Sequence, residues 1–185
     1  NHPVDVNIVV QGTAEEGTDY TADLNVHFDA NDTSETFTVH ILDDTLAEDT
    51  EELVFIPAGD FQLSDSSGVA KLTILDNEPW ITVTADPAAA QEPGANPADP
   101  ADWAQFTIER SPSSSDPVTV YYTLEGSTAA NGSDYQSIDP SQITISANQT
   151  SEVIDIVPLA DGENEQNESV KLRLTPSSHY HLQGP

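Results

Sequence analysis

The sequence predicts an all-β protein built from two tandem β-sandwich modules, and three observations lead to that prediction. The second half of the chain repeats motifs of the first half in the same order. Between these motifs, apolar residues alternate with polar residues at a period of two, which indicates strands with one buried face. No stretch has a convincing helical pattern, since the alanine-rich segment 88–90 lies between Pro87 and Pro93. Short strands separated by turn residues are typical of a sandwich.

The internal repeat consists of three matched blocks of residues. The blocks keep their order and spacing, apart from a two-residue insertion between the first block and the second. A repeat in register indicates duplicated structural units rather than chance similarity. The matched blocks are Gly12–Ala14 with Asp19-Tyr20 and Ser127–Ala129 with Asp134-Tyr135; Ala30–Glu35 and Ala147–Glu152; and Asp44, Glu48, Glu51 and Asp161, Glu165, Glu168.

The two copies are expected to be incomplete in different ways. The first module, 1–79, lacks its first strands, and the second module, 80–185, lacks its last strand. The strands Trp80–Ala85 and Trp103–Arg110 have no counterpart in the first module. The simpler expectation is a window onto a longer array of repeats, and the alternative is a fibre in which another chain supplies the missing strands. The other strands are expected around Val4–Ile8, Val26–Phe28, Phe37–Ile41, Leu72–Ile74, Val118–Val120, Ile143–Ile145, Ile154–Ile156 and Val170–Leu174.

The charge of the chain excludes two classes of partner. There are 33 acidic residues against four Lys and Arg, for a net charge of -29. Nucleic acid is excluded because phosphate binding requires a basic face, and an anionic membrane surface would repel the chain. No apolar run is long enough to span a membrane, and the absence of cysteine excludes disulfides and thiolate chemistry. Such a charge opposes compaction unless bound cations or a high-salt habitat neutralise it.

No catalytic constellation is present, and the sequence predicts a protein that is not an enzyme. Serine and threonine are abundant, but none lies in a nucleophile-elbow pattern, and no histidine has a paired base. Paired acids can indicate a glycosidase, but such enzymes need a deep cleft, and small sandwiches offer loops. Of the four Asn-x-Ser/Thr sequences, those at Asn31 and Asn148 occupy matching positions and are expected to mark a shared turn.

An acidic loop gives the strongest indication of function. Residues 43–52 contain six carboxylates in ten positions, which repel one another unless a cation lies among them. Calcium takes about six to eight oxygen ligands in a tolerant geometry, whereas zinc prefers cysteine or clustered histidine. The one close histidine pair, His179 and His181, lacks further ligands. A solvated acidic surface is the alternative, but three of the loop acids recur at matched spacing in the second copy, which favours calcium.

Three segments of the first copy together carry a recognisable pattern: Gly12–Tyr20, Ile41–Glu51 and Thr73–Glu78. They resemble the Calx-beta domain, a module of sodium–calcium exchangers, cell-surface adhesion proteins and large bacterial surface proteins. The resemblance covers nearly the whole chain and implies a seven-stranded Greek-key, immunoglobulin-like sandwich with a calcium cluster at one end. It implies the metal ligands Asp19, Asp43, Asp44, Glu48, Glu51, Asp76, Asn77 and Glu78 in the first module, and Glu92, Asp134, Asp161, Glu165 and Glu168 in the second.

The second copy departs from this pattern, so its site is expected to be weaker. Ala160 stands where the first acid of the Asp-Asp pair belongs, and no terminal acidic triplet follows. The leading function is a calcium-binding structural repeat of an extracellular or cell-surface adhesin or fibre, in which calcium rigidifies the modules and their junction at Pro79. Its partners would be neighbouring repeats of the same longer chain, or identical chains by strand exchange. The alternatives are a regulatory calcium sensor of a membrane transporter and an accessory module of a secreted enzyme.

Overall fold

The computed structural model describes residues 2–59, 61, 68–93, 102–138, 141–160 and 166–182. The described residues form thirteen β-strands and no helix, which confirms the all-β prediction. None of this described part could therefore cross a membrane as a helix. The chain divides into two compact units, Asn1–Asn77 and Glu78–Pro185. The division lies two residues before the predicted end of the first module at Pro79. The units are called here the first unit and the second unit.

The first unit is built from antiparallel strands in two sheets. A four-stranded sheet has the order β3-β1-β5-β6, and β2 pairs with β4 in a two-stranded sheet. The strands are β1 (Val4–Gly12), β2 (Tyr20–Ala22), β3 (Asn25–Phe28), β4 (Val39–Ile41), β5 (Glu51–Ala58) and β6 (Ala70–Ile74).

The alternation of apolar residues places one face of these strands in a small core. On β5, Leu53 and Phe55 are buried, two positions apart as the period of a strand requires. They pack with Ile8 of β1 and Val26 of β3, and the Phe37 ring lies 5.4 Å from the Phe55 ring between centroids. The predicted period-two pattern is therefore the pattern of burial on β1, β3 and β5 around this core, whereas Val4, Ile41 and Leu72, which the same pattern placed on buried faces, are exposed.

The second unit has two larger sheets. One has the strand order β10-β9-β12, and the other has the order β11-β8-β7-β13, in which only the β13–β7 pairing is parallel. Ile81, Ile108, Val120 and Ile145 are fully buried between the sheets. The strands are β7 (Trp80–Ala85), β8 (Ala104–Ser111), β9 (Val118–Thr123), β10 (Gln142–Ile145), β11 (Ser151–Ile156), β12 (Arg173–Leu174) and β13 (His181–Leu182).

Two predicted strands are shorter than the sequence pattern indicated. The segment 37–41 forms a strand only from Val39, and the segment 170–174 forms one only from Arg173. In both places the apolar alternation is present, but a hydrogen-bonded ladder also requires a neighbouring strand. The shared turn is confirmed, because Asn31 and Asn148 both have positive φ angles, of 78° and 61°.

A buried arginine fastens two loops of the second unit. Arg110 is 3% exposed and uses its guanidinium on backbone carbonyls. Its Nε donates to the carbonyl oxygen of Gln149 at 2.7 Å, and its Nη1 to that of Asp116 at 2.6 Å. Its Nη2 donates to Ser114 at 2.9 Å and to Ser146 at 3.0 Å. The buried charge is therefore satisfied by carbonyl dipoles, as a buried ion requires.

Candidate metal centre

The aspartate of the Asp19-Tyr20 pair is anchored by a tight turn just before β2. Its Oδ2 accepts a hydrogen bond from the Glu15 N–H at 2.6 Å, and its own N–H donates to the Glu15 carbonyl at 3.0 Å. Gly17 supplies the φ of 90° within this turn, a conformation that glycine adopts without steric cost. Asp19 is only 8% exposed, and Tyr20 after it is in the core. The backbone therefore fixes the position of this carboxylate.

The second unit contains the same turn with the same hydrogen bonds. Asp134 Oδ2 accepts a hydrogen bond from the Ala130 N–H at 2.5 Å, and Gly132 has a φ of 86°. Tyr135 is buried. The Asp134 carbonyl accepts from the Leu159 N–H at 2.8 Å, just as the Asp19 carbonyl accepts from Leu42 at 2.9 Å. The repeat seen in the sequence is thus a repeat of hydrogen bonds.

The acidic loop between β4 and β5 is tied to the residues that follow β6. Asp76 Oδ1 accepts a hydrogen bond from the Glu48 N–H at 3.2 Å. The Asn77 side-chain amide donates to Asp43 Oδ1 at 2.8 Å. Within the loop, Asp44 Oδ1 accepts from the Leu46 N–H at 2.7 Å. Predicted ligands that are 28 and 34 residues apart in sequence are therefore in contact.

Two carboxylates at this end, those of Glu48 and Glu51, have raised pKa values. The pKa of Glu48 is above its ordinary value because of partial desolvation, and then because of the charges of Asp44, Asp19 and Asp76. The pKa of Glu51 is raised by partial desolvation and by a hydrogen bond with Asp19, followed by the charges of Asp19, Glu48 and Glu15. Like charges that oppose ionisation in this way mark a place where a cation would be stabilised.

The donor chemistry of the cluster fits calcium. Its members are carboxylates and one amide, which are the hard oxygen ligands that calcium prefers, and the described residues of the chain place no histidine among them. The described residues contain no group of three or more His, Asp or Glu side chains already arranged around one metal position. Instead, Asp43, Asp44 and Asp76 accept hydrogen bonds from nearby N–H groups. The candidate ligands are thus gathered at one end of the first unit and are held there by these hydrogen bonds.

In the second unit, three predicted ligands line one cavity of about 660 Å³. They are Glu92, Asp134 and Glu168, and the cavity also contacts Tyr135 and Phe106. Two further predicted ligands, Asp161 and Glu165, lie outside the described residues. The last predicted ligand of the first module, Glu78, is half-buried and falls at the start of the second unit.

The sequence pattern did not single out one residue that lies near the site. Glu15 provides the N–H that holds Asp19, and its charge contributes to the raised pKa of Glu51. The position of Glu15, four residues before Asp19, was the feature of the sequence that could have identified it. The second unit has Ala130 at the equivalent position, and a backbone N–H makes the same bond there. Only the charge of Glu15 is therefore particular to the first unit.

The fold and the site define the class of protein: the chain is a tandem pair of β-sandwich units, each with the same anchored aspartate. The family model of the Calx-beta domain matches residues 2–78 and again residues 95–183. The chain belongs to the Calx-beta family, which confirms the resemblance drawn from its motifs. Calx-beta domains bind Ca²⁺, the ion expected from the donor set.

Two solved structures are similar to the chain at low identity. The crystal structure of CBD12 from CALX1.2 is 20% identical, with a TM-score of 0.38, over 96% of this chain and 71% of that one. The crystal structure of the calcium binding domain CBD12 of CALX1.1 is 20% identical, with a TM-score of 0.42, over 86% of this chain and 64% of that one. This chain therefore spans less than two thirds of the second structure. No curated protein matches the chain.

Proposed function

We propose that the chain is a calcium-binding structural repeat, and that its stronger site lies at the acidic end of the first unit. The observation that carries the proposal is the contact between the acidic loop and the residues after β6, through Glu48 with Asp76 and Asp43 with Asn77. The first-unit ligands would be Asp19, Asp43, Asp44, Glu48, Glu51, Asp76 and Asn77, with Glu78 following them in sequence.

Calcium would supply positive charge that the described residues of this end lack. The described ion pairs of the first unit include none of its predicted ligands; they join His27 with Asp5 or Asp29, and Lys71 with Glu52. The chain's own contribution is to bring three separate segments together: the Asp19 turn, the loop 43–51 and the residues after β6. With the repulsion removed, these segments would hold one another in place, and the loop would stiffen.

The setting proposed for this repeat is an extracellular or cell-surface protein, as part of an adhesin or fibre. The tandem arrangement, the net charge of -29 and the absence of cysteine support it. The first-unit ligands are followed at once by Pro79 and β7, with little chain between them, so an ion there would also restrict the junction. The proposed partners are neighbouring repeats. No catalytic role is proposed, and an accessory module of a secreted enzyme remains the less supported setting.

A regulatory calcium sensor is the second candidate function, because the Calx-beta family includes exchanger domains. The pKa values of Glu48 and Glu51 are raised by partial desolvation and then by neighbouring acids, which is compatible with either function. The calcium affinity distinguishes a structural repeat from a calcium sensor. Calcium sensors bind at about 10⁻⁷–10⁻⁵ M, and extracellular structural modules at about 10⁻⁴–10⁻³ M. Isothermal titration of the chain with calcium, after chelation, measures this directly.

Thermal unfolding with and without chelator tests the structural role. At calcium one hundred times above Kd, an ion bound only to the folded state adds about 2.7 kcal/mol. For a unit of this size, that is a rise in Tm of roughly 10 °C or more. The double change Asp43→Asn with Asp44→Asn should abolish most of the rise. The control Asp49→Asn removes a charge from the same loop outside the ligand set and should retain it.

Two results would contradict the proposal. One is a first-unit Tm that does not respond to chelator at moderate salt. The other is a calcium response that survives in the Asp43/Asp44 double variant, which would place the ligands elsewhere. A separate comparison of Asp134→Asn and Asp19→Asn addresses the inequality of the two sites. The Asp19 change is expected to remove the tighter phase of the calcium titration, and the Asp134 change the weaker phase.

A further inference from the structure

One outward sheet face of the second unit carries no acidic residue. On β9, Val118, Val120 and Tyr122 are buried, so the residues between them point away from the core. The strand register extends this outward face to β10 and β12. This face, called here the threonine face, consists of Thr119, Tyr121, Thr123, Gln142, Thr144 and Arg173. Six neighbouring outward positions without an acid set this surface apart in a chain with 33 acids against four Lys and Arg.

Two cations lie along one side of the threonine face. Arg173 is directly opposite Thr123, and Lys171 lies two residues before Arg173. Leu172 and Leu174 pack against the core, so the two cations that alternate with them point outward, and both are exposed. Among the described residues, neither cation forms an ion pair. The face therefore presents positive charge with which no described acid pairs.

The first unit has an ion pair at the corresponding position. Asp5 of β1 lies opposite His27 of β3, and their side chains form an ion pair. Thr119 and Thr144 occupy the same cross-strand position in the second unit, and their hydroxyl oxygens lie 3.1 Å apart in a hydrogen bond. The second unit therefore has hydroxyls where the first unit has opposite charges, and its two cations are not balanced by an acid at this position.

An exposed aromatic ring lies at the centre of the threonine face. Tyr121 is 43% exposed, with Gln142 opposite it on β10 and Thr119 and Thr123 two residues away on its own strand. A tyrosine ring has an apolar body and a polar tip, so it can pack against the C–H groups of a sugar ring. The neighbouring hydroxyls and amide can hydrogen-bond to the sugar hydroxyls. A flat, open face suits an extended chain of sugars, whereas small molecules bind in concave sites.

The two cations favour an acidic sugar. A guanidinium binds a carboxylate through two parallel hydrogen bonds, and an ammonium binds it as a point charge. Duplex nucleic acid carries one charge per about 1.7 Å and needs a broad basic face, whereas a uronic acid chain carries one carboxylate per sugar, so two cations serve a short stretch of it. Salt screens the repulsion from more distant acids beyond about 8 Å at physiological ionic strength. The charges in contact therefore decide whether such a polymer binds.

An acidic protein segment fits this face less well. Protein interfaces bury apolar and aromatic anchors at their centre, and Tyr121 is the one aromatic residue of the threonine face. The other outward groups are hydroxyls, an amide and a guanidinium, which match the hydroxyls and carboxylates of sugars.

We propose that the threonine face binds a polymer of uronic acids, with Tyr121 packed on a sugar ring and Arg173 and Lys171 paired with carboxylates. Binding at this face requires no calcium, so it is independent of the calcium sites proposed above. In a cell-surface protein, such a face would attach the repeat to an acidic polysaccharide.

The test is a titration of the full chain with a hexamer of galacturonic acid, followed by amide chemical shifts in NMR spectra. We expect saturable shifts confined to β9, β10, β12 and Lys171, and an affinity that falls as salt rises. Chelator should leave the affinity unchanged, and the dispersed amide signals of β9 report in the same spectra that the second unit is folded. Loss of binding under chelator would mean that calcium, and not the two cations, holds the carboxylates. That result would overturn this proposal and leave the calcium proposal standing.

Substitutions test the named side chains. Arg173→Gln should weaken binding at least about tenfold, since hydrogen bonds to a charged group are lost, and Arg173→Lys should recover only part of the affinity. Tyr121→Thr should weaken binding about fivefold by removing the ring. As a control, Lys71→Gln removes one positive charge from the first unit, where Lys71 is paired with Glu52, and should leave binding unchanged. Equal effects of Arg173→Gln and Lys71→Gln would overturn the proposal, because net charge alone would explain them.

Matched ligands test the chemistry of the partner. The methyl ester of the same hexamer keeps the sugar rings and removes the charges, so it should bind at least about tenfold more weakly. Equal binding of the ester would refute the role of the cations. A hexamer of glutamic acid that binds as tightly would indicate an acidic protein partner, and a sulfated hexamer that binds more tightly would indicate sulfate as the anion; either result rejects the proposal. It also fails if the shifts map outside the threonine face or do not saturate.

Discussion

Replacing Arg110 by methionine tests how far the loops of the second unit depend on one side chain. Methionine keeps much of the apolar stem and removes the guanidinium. The four hydrogen bonds of the guanidinium to carbonyls of Ser114, Asp116, Ser146 and Gln149 are lost together. These carbonyls belong to two separate loops, so the change releases both of them at once.

The magnitude follows from the number of bonds and the exposure of their acceptors. A typical hydrogen bond contributes about 1 kcal/mol net, and one to a charged group somewhat more. Four hydrogen bonds give an upper limit of about 4–6 kcal/mol for the loss of stability. The loss is smaller than this because water can hydrogen-bond to the freed carbonyls in surface loops. We therefore expect Arg110→Met to lower the free energy of unfolding of the second unit by about 2–4 kcal/mol. Arg110→Lys should recover less than half of this, since one ammonium cannot reach four carbonyls.

The assay is urea and thermal unfolding followed by circular dichroism, with calcium held constant. The matched control is Arg173→Met, which removes the same charge from an exposed position on β12. The control should shift the free energy of unfolding by less than about 0.5 kcal/mol. Equal effects of Arg110→Met and Arg173→Met would refute the reasoning, because the loss would then reflect net charge and not the buried hydrogen bonds.

Two further predictions concern the first unit. Asp5 raises the pKa of His27 above 6.5 through a hydrogen bond, with Asp29 adding its charge. The protonated form is therefore favoured by folding, so its contribution is complete below about pH 6.5 and is lost as pH rises through the higher folded pKa. An NMR titration should show this raised pKa, and Asp5→Asn should lower it; an unchanged pKa in that variant would contradict the assignment. Substitutions at two glycines distinguish the effect of a steric clash from that of backbone strain. A Cβ on Gly12 would lie 1.9 Å from the Glu52 carbonyl oxygen, whereas a Cβ on Gly17 would meet nothing within 4 Å. Gly12→Ala should unfold the first unit or cost it several kcal/mol, and Gly17→Ala about 1 kcal/mol; similar thermal shifts would disprove the contrast.

Local sequence patterns predict most of the strands. The strand Trp80–Ala85 has the predicted limits, and β8 is displaced from its prediction by one residue. The period-two rule succeeded because burial on one face sets the alternation. It failed at Phe37, where the apolar residue is present but the described structure holds no partner strand. The sequence indicates which side chains favour a buried position. Whether a segment pairs as a strand depends on a neighbouring strand, which the local pattern does not encode.

The sequence predicts a set of candidate ligands but not the contacts between them. Spacing in the repeat singles out these acids, because the same residue types recur at the same intervals. The bonds from Glu48 to Asp76 and from Asn77 to Asp43 join distant parts of the chain, and no local pattern encodes them. The sequence counts Arg110 among four Lys and Arg residues but does not indicate its role, which depends on carbonyls from two loops.

Arg110 places its guanidinium on carbonyl dipoles, and within the described residues it forms no ion pair with an acid. The chain has only four Lys and Arg against 33 acids, for a net charge of -29. Nearly all the neutralising charge must then come from solution as mobile counterions. Wherever such chains are crowded together, those confined counterions draw in water by Donnan osmotic pressure. A layer of these repeats would swell in dilute buffer and shrink as divalent ions replace monovalent ones.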